Sequence, residues 1–205
     1  MNMDQAILNA FPLLAVPSSG LVPPAGDHGM RYLVGRTGIA REINLPWLRA
    51  RHHVALSAVQ LPYGEVSDQI DFKCGPIPRE VIRKFAEEAK AAAPTEIAAA
   101  FIWSEQTGQW RYARREATSA GADHINFVEV NLVEGESLVV DVHSHGYHPA
   151  YFSRQDDSDD MGTMRISLVL GNMHQDVPAS AMRLCLAGFV YPASIGADGN
   201  VEVHL

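Results

Sequence analysis

Two histidines and an aspartate between residues 139 and 156 have the types and spacing of metal ligands. His143 and His145 lie two residues apart after an apolar run, and Asp156 follows after ten intervening residues. A strand points alternate side chains to one face, so both imidazoles can face one ion, and a loop can return the carboxylate to it. Two nitrogens and one oxygen suit zinc, and three protein ligands leave a fourth position open for water. The pattern therefore predicts a catalytic zinc centre.

Several families of metal-dependent hydrolases begin with such a pair, and the residues that follow it here separate them. In the metallo-β-lactamase pattern an Asp precedes the next His, whereas Tyr147 stands before His148 in this chain. That carboxylate is a ligand of the second metal in the pattern, so its loss argues against this class. Barrel-shaped amidohydrolases and phosphoesterases need further ligands on later strands, and a chain of 205 residues is short for them.

The remaining spacing includes Ser153, three residues before the aspartate, and Glu96, which lies between a predicted helix and an apolar run. Together with the three ligands, these residues resemble the JAMM motif of the JAB/MPN metalloprotease family. The resemblance covers about residues 76–192. Alanines follow Glu96 where the family often has glycines, so Glu96 is the least specific part of the match.

The resemblance implies a mechanism of amide hydrolysis. Zinc held by His143, His145 and Asp156 would lower the pKa of a bound water to about 7. Glu96 would take the proton of that water and pass it to the leaving amine. Ser153 would donate to the oxyanion, a contribution of about 3 kcal/mol.

Other roles remain open for some of these residues. Ser153 can instead cap a helix or bind a loop. Glu96 can be a solvent-facing connector, in which case Glu105 or Glu129 would replace it as the base. Asp141 can accept from an imidazole or cap the sheet edge, and His148 is expected to be an exposed loop residue. The acidic residues 157–160 are expected to form a solvated loop.

The resemblance also implies partners. The long leader, the sequence His-Ser-His-Gly-Tyr-His-Pro at 143–149 and the Asp-Asp-x-Asp-Asp tail at 156–160 resemble the JAB-domain components of the PRTRC systems of bacterial plasmids and mobile elements. Such systems also encode a ThiF-like protein of E1 type and a small ubiquitin-like protein. We therefore expect a ubiquitin-like protein or its conjugates as substrate. The rival interpretation is a non-catalytic MPN-type binding module in such an assembly, although this chain keeps all the ligands that many family members lack.

The elements that must position the site are short strands and one clear helix. Residues 78–93 predict the helix, since Pro78 suits its first turn, apolar residues recur at helical spacing and Pro94 ends it. Strands are predicted at 97–103, 110–115, 125–130, 137–142, 165–170, 184–191 and 201–205. Residues 1–30 predict a loop-rich leader, and three β-prone segments between 30 and 66 predict a small antiparallel unit.

Composition excludes some classes of partner. A formal charge of −8 without a basic patch argues against binding to nucleic acid, and no stretch has the length of a membrane span. Cys74 and Cys185 lie far apart without metal-site spacing, which favours two free thiols, a reducing compartment and hence the cytoplasm.

We therefore predict an α/β fold in two parts. Residues 76–205 are expected to form a JAB/MPN-like mixed, curved sheet flanked by helices. Residues 1–75 are expected to form a β-rich N-terminal extension.

Overall fold

The computed structural model describes residues 3–19, 21–27, 29–122 and 124–205. The chain divides into two compact units, Met1–Lys73 and Cys74–Leu205. Each unit is built on its own main sheet, and both sheets combine parallel and antiparallel pairs. The predicted α/β class with mixed sheets and flanking helices is confirmed. Among the described residues, no helix is long and apolar enough to cross a membrane.

The first unit is a five-stranded sheet in sequential order. Its elements are α1 (Met3–Ala10), β1 (Leu13–Ala15), β2 (Gly29–Gly35), β3 (Gly38–Asn44), β4 (Leu48–Leu56) and β5 (Gln69–Phe72). The strands β2 to β5 are antiparallel neighbours. The three segments predicted between 30 and 66 overlap β2, β3 and β4, whereas β5 was not predicted. The leader contributes more than a loop, because β1 pairs in parallel with β2. A small core of Val16, Leu33, Ala40 and Val66 holds this unit together.

The second unit contains a seven-stranded sheet. Its elements are α2 (Arg79–Ala92), β6 (Ala98–Ser104), β7 (Trp110–Arg114), β8 (Ala117–Ala120), β9 (Ile125–Phe127), β10 (Glu136–Ser144), α3 (Arg154–Asp160), β11 (Met164–Gly171), β12 (Ala179–Leu186), β13 (Phe189–Ile195) and β14 (Val201–Val203). The strand order of the sheet is β14-β13-β12-β11-β10-β6-β7, while β8 and β9 pair separately. Helix α2 follows the prediction closely and buries Phe85 and Ala89 completely.

One parallel pair in this sheet determines where the candidate site lies. Strands β10 and β11 run parallel, whereas the other neighbouring strands of the sheet are antiparallel. Parallel strands cannot be joined by a tight turn, so the chain must cross over the sheet. Residues 145–163 make this crossover, and they include α3. The carboxyl end of β10 and the crossover are therefore neighbours.

Three local features of the second unit differ from the predictions. The prediction of an acidic loop after Asp156 is wrong, because residues 154–160 form α3. The prediction of a single strand over 184–191 is wrong as well. The chain turns there at Ala187 and Gly188, whose φ angles of 44° and 96° suit a two-residue hairpin between β12 and β13. Strand β8 was not predicted, and its four residues are all exposed.

Candidate metal centre

The two histidines and the aspartate converge at the end of β10. His143 is the penultimate residue of the strand, His145 follows the strand, and Asp156 lies in the first turn of α3. His143 Nε2 lies 3.1 Å from His145 Nε2 and 3.5 Å from Asp156 Oδ1. One ligand atom from each of the three side chains lies within 4.8 Å of the others. The crossover thus returns the carboxylate to the histidine pair.

A backbone carbonyl fixes the orientation of His145. Its Nδ1 lies 3.1 Å from the carbonyl oxygen of Pro149, which can only accept a hydrogen bond. Nδ1 therefore carries the proton in this contact, and Nε2 of the neutral ring keeps its lone pair for an ion. The ring of Tyr151 packs edge-on against His145 at a centroid distance of 4.6 Å.

Burial keeps His143 in the form that binds metals. Desolvation, the largest effect, lowers the pKa of His143 to about 4, although Asp156 acts in the opposite direction. At neutral pH the imidazole is therefore uncharged, as metal ligation requires.

The two oxygens of Asp156 have separate roles. Oδ2 accepts from the backbone N–H of Ser153 at 2.6 Å, and the hydroxyl of Ser153 accepts from the N–H of Asp156 at 3.2 Å. This reciprocal capping box begins α3 and satisfies two amide groups that the helix itself leaves free. Oδ1 points to His143 and remains the oxygen that can bind an ion.

Glu96 lies beside the histidine pair just before β6. Strand β6 is antiparallel to β10, and His143 pairs with Ala98, so two further residues bring Glu96 level with His145. Ser144 lies between the histidines and makes two hydrogen bonds to Ile97. Its backbone N–H donates to the carbonyl of Ile97, and its hydroxyl accepts from the N–H of Ile97. Glu96 is 6% exposed. Its position is therefore tied to the ligand strand through its neighbour in sequence.

All five predicted site residues line one cleft of about 500 Å³. Residues 124–127, which include β9, form one part of its wall, and the crossover residues His148, Tyr151, Phe152 and Ser153 form another. Neither substitute base lies there: Glu105 is in the exposed turn after β6, and Glu129 pairs with Arg115. The cleft thus collects an acid, three candidate ligands and a hydroxyl.

Comparison with known proteins assigns both parts of the chain. Residues 78–185 match the family described as prokaryotic homologs of the JAB domain. The chain belongs to this family. Residues 1–73 match a domain of unknown function, DUF2016. No match was found among curated proteins.

In this JAB domain, the partners of Asp141 are two arginines and not the imidazole of a ligand histidine. Asp141 pairs with Arg165 at 2.7 Å and with Arg115 at 3.0 Å. Its burial still raises the pKa of Asp141 above the ordinary value, against the effect of both arginines. The contact that orients a ligand histidine comes from the Pro149 carbonyl instead.

The acidic residues of α3 in the JAB domain are not one solvated run. Asp160 is 3% exposed and binds Arg165 and Arg183, while Asp157 binds Arg183. Burial acts to raise the pKa of Asp160, but hydrogen bonds from Ser167 and the two arginines hold it below its usual value. Asp159 is exposed, as expected for the whole run, and accepts from Gln155.

The sequence did not predict that Arg165 and Arg183 belong to the site. Arg165 and Arg183 stand in strands of otherwise largely apolar composition, where a charged side chain needs a partner. A lone arginine in an apolar strand was the available sequence signal for a buried ion pair, although it does not identify the acidic partner.

Two adjacent histidines outside the JAB domain have other partners. His52 is buried and accepts from Arg41, and burial together with that charge lowers the pKa of His52 to about 4. His53 lies between Thr37 and Asp68. Within the described residues, no second cluster of potential metal ligands was found. Cys74 and Cys185 are both free and buried.

Proposed function

We propose that this JAB domain is a zinc-dependent JAMM-type peptidase or isopeptidase that hydrolyses amide bonds. The observation that carries the proposal is the convergence of His143, His145 and Asp156, with one candidate ligand atom of each within 4.8 Å of the others. Glu96 and Ser153 lie in the same cleft, where an acid–base group and an oxyanion donor would be needed.

The donor set fits zinc in chemistry and in spacing. With bonds of about 2.0–2.1 Å in tetrahedral geometry, the ligand atoms of one zinc ion lie about 3.3 Å apart. The separations of His143 Nε2 from His145 and from Asp156, 3.1 Å and 3.5 Å, lie on either side of that value, and the third separation is within 4.8 Å. Burial keeps the His143 imidazole neutral, and the Pro149 carbonyl accepts from Nδ1 of His145, which leaves Nε2 of His145 free to bind an ion. Three protein ligands leave room for substrate, as in catalytic zinc sites.

The residues around the ion would then move protons and stabilise charge. When bound, zinc supplies a nucleophile at neutral pH, because it lowers the pKa of water to about 7. Glu96, on the cleft wall level with His145, would accept a proton and return it to the leaving amine. The Ser153 hydroxyl accepts from Asp156 N–H, so its own proton is available to donate to the oxyanion.

The substrate and partners are proposed from the family resemblance. We propose a ubiquitin-like protein or its conjugates as the substrate and a ThiF-like, E1-type protein as a further partner, in a cytoplasmic PRTRC-type system. No contact with nucleic acid or membrane is proposed. The formal charge of −8 argues against nucleic acid as a partner.

Zinc content and turnover together test this proposal. Purified protein should carry about one zinc ion per chain, measured by elemental analysis, and should cleave a ubiquitin-like protein from a carboxyl-terminal fusion. His143→Ala should lose both zinc and cleavage, whereas the exposed control His204→Ala should keep both. A chain that binds no zinc, or a His143→Ala variant that cleaves normally, would refute the proposal.

A glutamate pair separates an enzyme from a metal-containing binding module. Glu96→Gln should keep its zinc and lose at least about 100-fold in turnover, because a general base contributes about 10²–10⁴-fold. The exposed α2 residue Glu87 gives the matched control Glu87→Gln. Zinc without turnover of any ubiquitin-like fusion by the unaltered chain would support the module.

A further inference from the structure

Seven charged side chains beside the candidate metal centre form one continuous chain of ion pairs with alternating sign. In order they are Glu129, Arg115, Asp141, Arg165, Asp160, Arg183 and Asp157. Each N–O separation lies between 2.6 and 3.0 Å. Only the two end carboxylates are well exposed, at 75% for Glu129 and 61% for Asp157. The network is therefore mainly buried and differs from an ordinary surface pair.

Arg165 occupies the middle of this chain and joins the two elements that carry the ligands. Its Nη1 lies 2.7 Å from Oδ2 of Asp141, which is on β10 two residues before His143. Its Nη2 and Nε lie 3.0 and 3.3 Å from Oδ1 of Asp160, on the helix that carries Asp156. Arg165 itself stands on β11. One guanidinium thus links the ligand strand to the ligand helix.

Burial makes the contacts of Arg165 with Asp141 and Asp160 costly to break. The side chains of Asp160, Asp141 and Arg165 are 4%, 14% and 19% exposed. An exposed ion pair contributes little, whereas removing one member of a buried pair leaves an uncompensated charge and is strongly unfavourable. A shift of α3 relative to β10 would have to break such contacts. The network therefore constrains the separation of its two elements.

We propose that Arg165 is a positioning residue for the metal centre, which holds His143 and Asp156 at ligating distance by bridging Asp141 and Asp160. This inference rests on the proposed zinc function. Arg165 is assigned no contact with the ion. The planar fork of a guanidinium can serve two carboxylates at once, whereas the single ammonium of lysine cannot reproduce its spread of donors.

The test compares zinc affinity and site geometry in two Arg165 variants. Arg165→Lys and Arg165→Met should each weaken zinc binding by about tenfold in competition with a chelator, as loss of groups that orient ligands does. The visible absorption of the cobalt(II)-loaded protein should also change, because it reports coordination geometry. The matched control is Arg111→Met, which removes the ion pair of the exposed Arg111 with Glu136 at the other end of β10 and should leave both readings unchanged.

Three results would overturn the inference. Wild-type zinc affinity and an unchanged cobalt spectrum in Arg165→Lys would show that the bridge does not position the ligands. A rise in KM at unchanged zinc affinity would instead make Arg165 a substrate contact, since it lines the cleft. Equal weakening in Arg111→Met would show a general effect of charge. If circular dichroism shows Arg165→Met to be unfolded, Arg165→Lys decides alone. Failure of the unaltered chain to bind zinc would overturn the proposed function as well, and it is visible before any variant is made.

Discussion

At the residue scale, the candidate centre depends on two close approaches of backbone that leave no room for side chains. A Cβ on Gly146 would lie 2.3 Å from the carbonyl oxygen of Pro94, and one on Gly171 would lie 2.3 Å from the amide nitrogen of Ala150. The first contact joins the residue after His145 to the segment that leads into Glu96. Small residues here therefore set the distance between the ligand pair and the candidate base.

Gly146→Ala should damage both stability and zinc binding. Its φ of +52° is left-handed, which costs a non-glycine residue about 1–2 kcal/mol, and the clash with Pro94 adds to this cost. Gly75→Ala is the matched control, because Gly75 has a φ of +67° but no atom within 4 Å of its added Cβ. Urea unfolding and zinc competition should show a larger loss at Gly146. Equal losses at the two glycines would mean that the contact with Pro94 has no effect.

The neutral state of His143 predicts how the metal-free protein responds to acid. Burial lowers the pKa of His143 in the folded chain to about 4, against 6.5 ordinarily. Between these pH values the unfolded chain binds a proton that the folded chain excludes. Stability should therefore fall as pH falls from 6.5 towards 4, by up to about 1.4 kcal/mol per pH unit.

Chemical unfolding in the presence of a chelator measures this slope. His143→Gln should flatten it relative to the unaltered chain, whereas His204→Gln, at an exposed position, should not. The similarly shifted His52 contributes equally to all three proteins and cancels in the comparison. An unchanged slope in His143→Gln would show that this histidine is not held neutral by the fold.

At the element scale, the N-cap residue of α3, Ser153, has two roles. Ser153 caps the helix through its oxygen and is also the candidate oxyanion donor through its proton. Glycine separates these roles, because it replaces a serine cap at a cost of only a few tenths of a kcal/mol but has no hydroxyl.

Ser153→Gly should therefore keep zinc affinity and lose turnover by about 100-fold, as expected for one oxyanion donor. Ser153→Ala should show the same loss of turnover with about 1 kcal/mol of destabilisation in addition, from the lost cap. Ser153→Thr, which keeps a hydroxyl, should retain most activity. Steady-state kinetics and thermal unfolding distinguish the two effects, and full activity in Ser153→Gly would reduce the residue to a cap.

The sequence predicted elements best where local chemistry determines them. Helix α2 has a proline start, an apolar stripe and a proline after its end, and β10 is a β-branched run that leads into the histidines. Helix α3 was missed because it is short, acidic and without an apolar stripe, so its capping box was the only local signal. The hairpin at Ala187 was missed because alanine rarely takes a positive φ. The ion pairs of Arg165 join residues distant in sequence, which no local pattern contains.

At the scale of the whole molecule, charge is divided unevenly between the two units. Residues 1–73 carry equal numbers of basic and acidic side chains, so the formal charge of −8 belongs to residues 74–205. The second unit also contains every contact described for the metal centre and for the Arg165 network. Zinc binding should therefore be a property of this unit.

A fragment of residues 74–205 should bind zinc as tightly as the full chain, and a fragment of residues 1–73 should bind none. Chelator competition measures both, with circular dichroism to establish that each fragment is folded. A folded 74–205 fragment with weaker zinc binding would assign the DUF2016 segment a part in the centre. Loss of turnover at normal zinc affinity would instead place its contribution in substrate binding.

The four aspartates of α3 have a consequence for reading related sequences. Asp156 faces the histidines, Asp157 and Asp160 bind arginines, and Asp159 is exposed, although all four are the same letter. An alignment that slips by one position through this stretch still matches acid with acid, yet it assigns the ligand to Asp157. Homologues are therefore best anchored on the serine of the capping box, three positions before the ligand. An intact acidic tract is no guarantee of an intact centre.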